Sequence, residues 1–213
     1  MTSARANRSP EPAEPPAAAT RGRPRDPMLE ERVFDAAIGL YADTGWVGFN
    51  FDAVAKRAGV GKAALYRRWS TRGELLRDTF EARWYVIDRI DTGSLRGDLV
   101  ALGRMSADIV TGPYGRASQH MAMDVPRYPE VSSSTARYRE STVRQARAIV
   151  RRAQARGELP ESVKPGLLID LVVGAIANRA HTTPERLRPT MIATMDEFLE
   201  LIVDVVLQGI SDR

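Results

Sequence analysis

Basic side chains are concentrated in one short stretch of the sequence, from Ala53 to Gly73. The stretch contains lysines and arginines but no aspartate or glutamate, although the whole 213-residue chain has a net charge of only +4. The cations are Lys56, Arg57, Lys62, Arg67, Arg68 and Arg72. A local block of this kind is typical of a surface that binds phosphate groups. Charge alone would favour a solvated helix face. The secondary structure that carries these residues is therefore needed to choose between the two interpretations.

The residue types needed for common catalytic and metal sites are scarce. The chain has no cysteine, and its two histidines, His120 and His181, are far apart in sequence. Thiolate metal sites and cysteine nucleophiles are therefore excluded, and a catalytic zinc site is not expected. The acidic residues of the C-terminal half are scattered among arginines, as on solvated helix faces. The sequence predicts a binding protein without a cofactor rather than an enzyme.

Two short helices are predicted on either side of the glycine-containing turn at residues 58–61. Asn50 is a suitable N-cap for the first helix, over about 51–58. The second helix covers Lys62 to Trp69. Two short helices joined by such a turn have the geometry of a helix-turn-helix, in which the second helix lies in the major groove of DNA.

The second of these helices has residue types suited to reading DNA. Ala63 and Ala64 would let the backbone approach base edges closely, and an alanine methyl can pack on a thymine methyl. Arg67 can reach a guanine or a phosphate, and the Tyr66 hydroxyl can reach a phosphate. The apolar positions that would anchor this helix to the preceding ones are Leu65 and Trp69.

Helical periodicity and capping signals predict an all-α fold of about nine helices, without strands. Thr71 and Glu74 form a capping box at the start of the fourth helix. Besides the two short helices, the predicted helices cover about 27–42, 72–90, 95–111, 114–124, 133–156, 166–181 and 189–208, with Gly209 as the final cap. This pattern divides the chain into a DNA-binding unit at residues 21–72 and a larger helical domain at 73–213, linked by the helix over about 72–90.

The N-terminal segment precedes this folded part. Residues 1–20 are rich in proline, alanine and glutamate, which predicts a disordered leader. Arg21 and Arg23 flank a glycine in a short basic arm, and such arginines can insert into a narrow minor groove. A solubilising segment without DNA contacts explains the arm equally well. Neither a signal peptide nor a run of about 18 apolar residues is present, so we expect a cytoplasmic protein without a membrane partner.

The stretch from Arg21 to about Ala82 resembles the N-terminal domain of TetR-family regulators. That family commonly shows a capped helix with an isoleucine- or valine-alanine pair, an alanine-glycine-valine turn, a lysine, and then leucine-tyrosine-x-histidine-phenylalanine. The matching segments here are Asn50–Ala55, Ala58–Lys62 and Leu65–Trp69. The spacing agrees over some sixty residues. Three departures are Gly61 where the family often has serine, which weakens the cap of the second helix, Arg68 where it often has histidine, and Trp69 where it often has phenylalanine.

The resemblance implies a set of DNA contacts on the second short helix and at the start of the next one. The residues expected at phosphates are Lys62, Tyr66, Arg68 and Arg72, and those expected nearest the bases are Ala63, Ala64 and Arg67. A structural helical hairpin with incidental charge is the alternative interpretation of the same residues.

The resemblance also implies a C-terminal domain that binds a small apolar or amphipathic effector and forms a homodimer. Methionines and aromatic residues suit such a pocket, although plain core packing explains each of them as well. The candidate pocket residues are Trp84, Ile87, Leu102, Met105, Ile109, Tyr114, Met121 and Met123. Wide apolar stripes on the last two helices suit dimerisation. The candidate dimer residues are Leu171, Ala175, Asn178, Phe198, Ile202 and Val205.

The function that these features predict is a repressor that leaves a palindromic operator when its effector binds. A ligand held by the fourth to seventh helices would pivot the fourth helix and change the spacing of the two reading helices. Two alternatives remain at this point. A helical enzyme or carrier for a small apolar molecule would leave the basic stretch unexplained, and an architectural DNA-binding protein would show little sequence preference.

Overall fold

The computed structural model describes residues 28–83 and 90–211. Within these ranges the protein has ten α-helices, one 3₁₀ turn and no strand, which confirms the predicted all-α class with one helix more than expected. None of the described helices is both long and apolar enough to cross a membrane. The predicted leader, Arg21, Arg23, Trp84 and Ile87 lie outside the described residues.

The first four helices follow the predicted order. They are α1 (Leu29–Gly48), α2 (Phe51–Ala58), α3 (Lys62–Tyr66) and α4 (Arg72–Arg83). The N-cap of α2 is the predicted one, because the Asn50 side chain accepts a hydrogen bond of 2.9 Å from the Ala53 amide. One of the two bonds of the predicted capping box of α4 forms, because the Glu74 amide donates to Thr71 Oγ1 at 3.1 Å, whereas the Glu74 carboxylate accepts from the Ser70 amide at 2.7 Å. The described part of α3 is three residues shorter than predicted and ends in a turn.

The remaining helices pack into the larger half of the chain. They are α5 (Leu95–Thr111), α6 (Gly115–Asp124), α7 (Pro129–Ala155), α8 (Pro165–Thr182), α9 (Arg188–Ala193) and α10 (Met195–Ser211), with a 3₁₀ turn at Glu185–Leu187 before α9. The predicted start of α7 was four residues late, because Pro129 takes the first helical position, where a missing N–H costs nothing. The predicted last helix is two helices, broken at Thr194. The end of α10 runs beyond Gly209, so this glycine is not the cap.

Two apolar cores hold the fold, and the first one draws on both halves of the chain. It contains buried residues of α1 to α4, but Ala117 of α6 and Val131 of α7 belong to it as well. The second core is formed by α5, α8, α10 and the C-terminal part of α7, around buried residues such as Leu99, Val172 and Leu199. The first core therefore depends on helices that lie more than thirty residues beyond α4 in the sequence.

Candidate DNA interface and effector cavity

The turn between α2 and α3 fixes the direction of the reading helix. Gly59 has φ of 64°, a left-handed conformation that favours glycine, and a side chain there would meet no neighbour. Gly61 caps α3 without any side-chain hydrogen bond, in agreement with the weaker cap predicted for a glycine. The direction of the chain between the two helices therefore depends on a backbone conformation that glycine adopts readily.

Two buried side chains anchor α3 and the turn after it. Leu65 is fully buried among the residues of the first core. Trp69 is 3% exposed, and its ring meets Phe34 of α1 edge-on with ring centroids 5.9 Å apart. The indole N–H of Trp69 also donates to Asp78 of α4 at 2.9 Å. Such packing on α1 and α4 leaves the opposite side of α3 free.

The opposite side of α3 faces solvent. Most of the residues expected to touch DNA are exposed there: Lys62, Ala63, Tyr66, Arg67 and Arg68, with Ala64 half-buried. The Tyr66 ring packs against Phe51 with centroids 4.6 Å apart, and Tyr66 remains 52% exposed. The predicted DNA-binding residues of α3 and of the turn after it, apart from the half-buried Ala64, are thus accessible to a partner.

Acidic residues from neighbouring helices partly balance this surface. Lys62 Nζ lies 2.5 Å from Asp52 Oδ1, and this hydrogen bond raises the pKa of the lysine. Arg68 Nε donates to Glu30 of α1 at 3.1 Å. Arg67 has no ion pair or side-chain hydrogen bond with any residue that the structure describes. The stretch that lacks acidic residues in sequence therefore has acidic neighbours in the structure, and Arg67 is the exposed cation beside α3 that none of the described acidic residues pairs with.

Arg72, a predicted phosphate contact, also makes contacts within the protein. Its guanidinium lies over the Trp46 ring, with Cζ 3.9 Å from the ring centroid. The same side chain donates to the carbonyl oxygens of Trp46 at 3.2 Å and Phe49 at 3.1 Å. These contacts connect the start of α4 to the end of α1. They use the Nη1 donors of Arg72, and its Nε and Nη2 donors, unused by the described residues, are left for a phosphate.

Asp124, the last residue of α6, connects this helix to α1, which lies about eighty residues earlier in the sequence. One of its carboxylate oxygens accepts hydrogen bonds from the Tyr41 hydroxyl at 3.0 Å and from the Trp46 amide at 2.9 Å. Burial raises the pKa of the Tyr41 hydroxyl, and the nearby carboxylate raises it further. The Trp46 amide is available because Gly45, with φ of 60° and ψ of −164°, interrupts α1.

This junction leaves no room for a side chain at Gly45. A Cβ atom there would lie 2.7 Å from His120 Nδ1 of α6 and 3.2 Å from Asp124 Oδ2. The first helix was predicted to end at about residue 42, before Gly45, and Asp124 was given no role. No local pattern could have found this contact, because the partners are about eighty residues apart.

We expect Asp124→Ala to lower the free energy of unfolding by about 2–4 kcal/mol, because it leaves two buried donors without an acceptor. Tyr41→Phe is the matched variant: it removes one hydrogen bond and keeps the carboxylate bonded to the Trp46 amide, so its expected cost is about 1 kcal/mol. Urea unfolding followed by circular dichroism measures both. Equal stabilities for the two variants would contradict the role given to the carboxylate.

A cavity of about 680 Å³ lies between α5, α6, α7 and α8. Four of the predicted pocket residues line it: Leu102, Met105, Ile109 and Met121. Tyr114 does not, because it packs against the first core, and Met123 is 44% exposed at a different face of α6. None of the described residues of α4 lines the cavity, and the candidates Trp84 and Ile87 of the predicted fourth helix lie outside the described residues; among the described residues α8 adds a wall that was not predicted.

The seventh helix was expected to enclose the pocket without any of its residues being named, and the wall that α8 provides was not expected. Residues of α7 that line the cavity are Tyr138, Arg139, Thr142, Val143 and Ala146, and those of α8 are Ile169, Asp170, Val173, Gly174, Ala177 and His181. The spacing in both sets is three or four residues, so each is one helix face. That periodicity was readable in the sequence, but the adjoining apolar stripe of α8 was assigned as a whole to dimerisation.

Large apolar side chains are exposed on neighbouring faces of α8 and α10. Leu167, Leu171, Leu201 and Val205 are between 46% and 64% exposed. Of the other predicted dimer residues, Asn178 is exposed, and Ala175, Phe198 and Ile202 are half-buried. The Phe198 ring is covered by the Arg179 guanidinium, whose Cζ lies 4.3 Å from the ring centroid. The structure thus leaves an apolar face on these two helices.

These observations define a class of protein: an all-helical DNA-binding regulator, with a helix-turn-helix at one end and a cavity-containing domain behind it. The chain belongs to the TetR family of bacterial transcription regulators. The family model for bacterial regulatory proteins of the tetR family matches residues 33–79. A second model, for the C-terminal domain of tetracycline-repressor-like proteins, matches residues 89–203, more than half of the chain.

Individual relatives and solved structures agree. The HTH-type transcriptional regulator AqdR of Rhodococcus erythropolis is 31% identical over 159 residues, covering 74% of this chain and 76% of the relative. YdeS of Bacillus subtilis, an HTH-type regulator, is 28% identical over 177 residues, covering 81% and 88%.

Among solved structures, the TetR-family regulator SCO0332 superposes with a TM-score of 0.60 at 25% identity, over 85% of this chain and 98% of that one. FadR of Bacillus subtilis, solved with stearoyl-CoA, shares the fold with a TM-score of 0.64 at 17% identity, over 81% and 97%. The protein is therefore a DNA-binding transcription regulator, and its relatives are regulators rather than enzymes.

Proposed function

We propose that this regulator is a homodimeric repressor that binds a palindromic operator and leaves it when a small apolar or amphipathic molecule enters the cavity. It would act in the cytoplasm, where bacterial operators are found. The observation that carries the proposal is the exposed, cationic face of α3, held on a rigid support by the buried Leu65 and Trp69. A helix presented in this way fits the major groove of B-form DNA.

Within this proposal the residues of α3 and of the turn after it divide into two groups. Arg67 is the main reader of bases, because its guanidinium is exposed and unpaired among the described residues, with Ala63 and Ala64 beside it. Lys62, Tyr66 and Arg68 bind phosphates, and the first and last of these exchange an acidic partner for a phosphate when DNA arrives. Arg21 and Arg23 stay predicted minor-groove contacts of the arm.

The dimer part of the proposal is supported by the apolar face on α8 and α10. One reading helix spans only a few base pairs, so a dimer with two such helices is needed to select a palindrome. Exposed Leu171 of α8 and Val205 of α10 lie on helices that also pack against each other. Pairing each face with its symmetry copy would form a four-helix interface.

The effector part is supported by the position of α6. One face of this helix lines the cavity with Ser118, Met121 and Ala122. Its other face places Ala117 and Asp124 against the first core and the end of α1. A ligand that moves α6 would therefore act directly on the half of the protein that carries α3. The FadR structure, which has the same fold and holds stearoyl-CoA, supports an effector in this domain.

The experiment that tests the proposal begins by selecting a binding site for the full-length protein from random duplex DNA. We expect an inverted repeat to be enriched, whereas an architectural protein would enrich no sequence. Compounds are then screened for those that weaken binding to the selected DNA.

The cavity variant for this screen is Ala177→Phe, which places a ring on the α8 wall. It should still bind the selected DNA within about threefold of the wild type, and it should no longer respond to a compound that releases the wild type by tenfold or more. A variant that responds as the wild type does would show that release occurs through another site.

A further inference from the structure

Arg139 of α7 stands out among the groups that line the cavity. Its Nε atom is buried and has no hydrogen-bond acceptor among the residues that the structure describes. The single side-chain contact of its guanidinium is with Ser132 Oγ of the same helix, at the limiting distance of 3.5 Å. None of the described carboxylates lies within 4.0 Å of it. The cavity wall thus contains a cation with almost no acceptor.

The other two arginines whose buried Nε atom has no hydrogen-bond acceptor among the described residues have compensating contacts. Arg152 lies within 3.8 Å of the buried Asp98 and donates to the carbonyl oxygen of Ile90. Arg179 covers the Phe198 ring and donates to Thr194 Oγ1 at 3.1 Å. Arg139 is therefore unusual within the described part of the chain. A guanidinium keeps its charge at any physiological pH, and a buried Nε–H of such a group without an acceptor is unfavourable.

The other titratable groups of the cavity do not neutralise this charge. Asp170 and His181 of α8 also line it, but both are exposed, so water solvates them at the mouth. Tyr138, one residue before Arg139, is held neutral, because burial raises its pKa to about 12. The remaining lining residues among those that the structure describes carry no charge. Away from Asp170 and His181, the described part of the wall is therefore apolar apart from hydroxyl groups and one positive charge.

We propose that the molecule this cavity accepts is apolar in its body and carries one oxyanion, a carboxylate or a sulfonate, that binds the guanidinium of Arg139. The inference rests on the proposed effector role of the cavity and adds the chemical class of the ligand. A planar fork of N–H donors matches an oxyanion through two parallel, charge-assisted hydrogen bonds. The lining from Leu102, Met105 and Ile109 accepts the apolar body.

Two dyes with the same aromatic body test this inference. 1-Anilinonaphthalene-8-sulfonate carries an oxyanion, and N-phenyl-1-naphthylamine lacks it; both fluoresce more strongly in an apolar site. We expect the wild-type protein to bind the sulfonate dye more tightly than the neutral dye. Arg139→Gln should weaken binding of the sulfonate dye by about 10- to 100-fold and leave the neutral dye within about threefold, because only the charge-assisted contact is lost.

Three variants complete the design. Arg139→Lys, which keeps a point charge without the fork, should recover part of the sulfonate affinity. Arg137→Gln is the matched control, since Arg137 is exposed on the same helix and does not line the cavity; neither dye should respond to it. Ala177→Phe should weaken both dyes, which locates them in the cavity.

The outcomes separate this inference from the proposed function. If the neutral dye binds the wild type as tightly as the sulfonate dye, or if Arg139→Gln weakens both dyes equally, the oxyanion class is rejected while the cavity remains a candidate effector site. If neither dye binds the wild type, the cavity itself is rejected as an effector site.

Discussion

Arg67→Ala is expected to weaken binding of the selected operator by roughly 30-fold to 10⁴-fold. A bidentate contact between arginine and a base is worth about 1–3 kcal/mol, and a dimer loses it twice. The effect should be this large because Arg67 has no ionic partner among the described residues, so its full donor set is available to DNA. Fluorescence anisotropy of labelled operator at one fixed salt concentration measures it, since such affinities depend steeply on salt.

Arg144→Ala is the control for this variant. Arg144 is an equally exposed arginine on α7, on the other half of the chain, and its removal changes the net charge by the same amount. It should alter operator binding by less than about threefold. A comparable loss in the two variants would mean that overall charge, and not a contact made by α3, explains the affinity. Discrimination between selected and unrelated DNA should fall only in Arg67→Ala.

Val205→Glu should convert the dimer into monomers at micromolar concentration and abolish detectable operator binding. Val205 is 64% exposed in the isolated chain, so a carboxylate there is solvated in the monomer but would be buried without a partner in the dimer. Two such charges, one from each subunit, would also repel each other. Sedimentation velocity gives the oligomeric state, and circular dichroism shows whether the monomer remains folded.

Met123→Glu is the matched control for the interface, because Met123 is an exposed apolar residue of α6 outside the proposed face. It should remain a dimer. Leu171→Glu, on the neighbouring helix α8, should reproduce the effect of Val205→Glu. If both glutamate variants of α8 and α10 sediment as the wild type does, the subunits pair through another surface, or not at all.

Local chemistry explains the parts of the fold that the sequence could predict. The bounds of α2 and its Asn50 cap depend on residues three positions apart, and they were found correctly. The anchoring of α3 by Leu65 and Trp69 follows from their spacing of four residues, and both are buried as predicted. The bond from the Glu74 amide to Thr71 at the start of α4 has the same local origin.

The parts that were missed depend on contacts between distant segments. Arg72 stays a predicted phosphate contact, but its bonds to two carbonyl groups were not predicted, because these groups become available only where α1 ends beside α4. The division of α8 between a cavity face and an exposed face is set by the helices that pack around it. The break at Thr194 was missed because the helical pattern of the sequence continues on both sides of it. At the break Thr194 Oγ1 donates to the Thr190 carbonyl oxygen.

The shared first core has a consequence for engineering. Ala117 of α6 and Val131 of α7 complete the packing around α1 to α4. A chimera that joins residues up to Arg83 of this protein to the C-terminal domain of another regulator would therefore pack α1 to α4 against non-native residues at these two positions. To keep this packing, the chimera must retain the residues of this protein at those two positions. It must also keep an acceptor for the Trp46 amide at the position of Asp124. Modular exchange in this protein is therefore a matter of grafting three separated segments, not one.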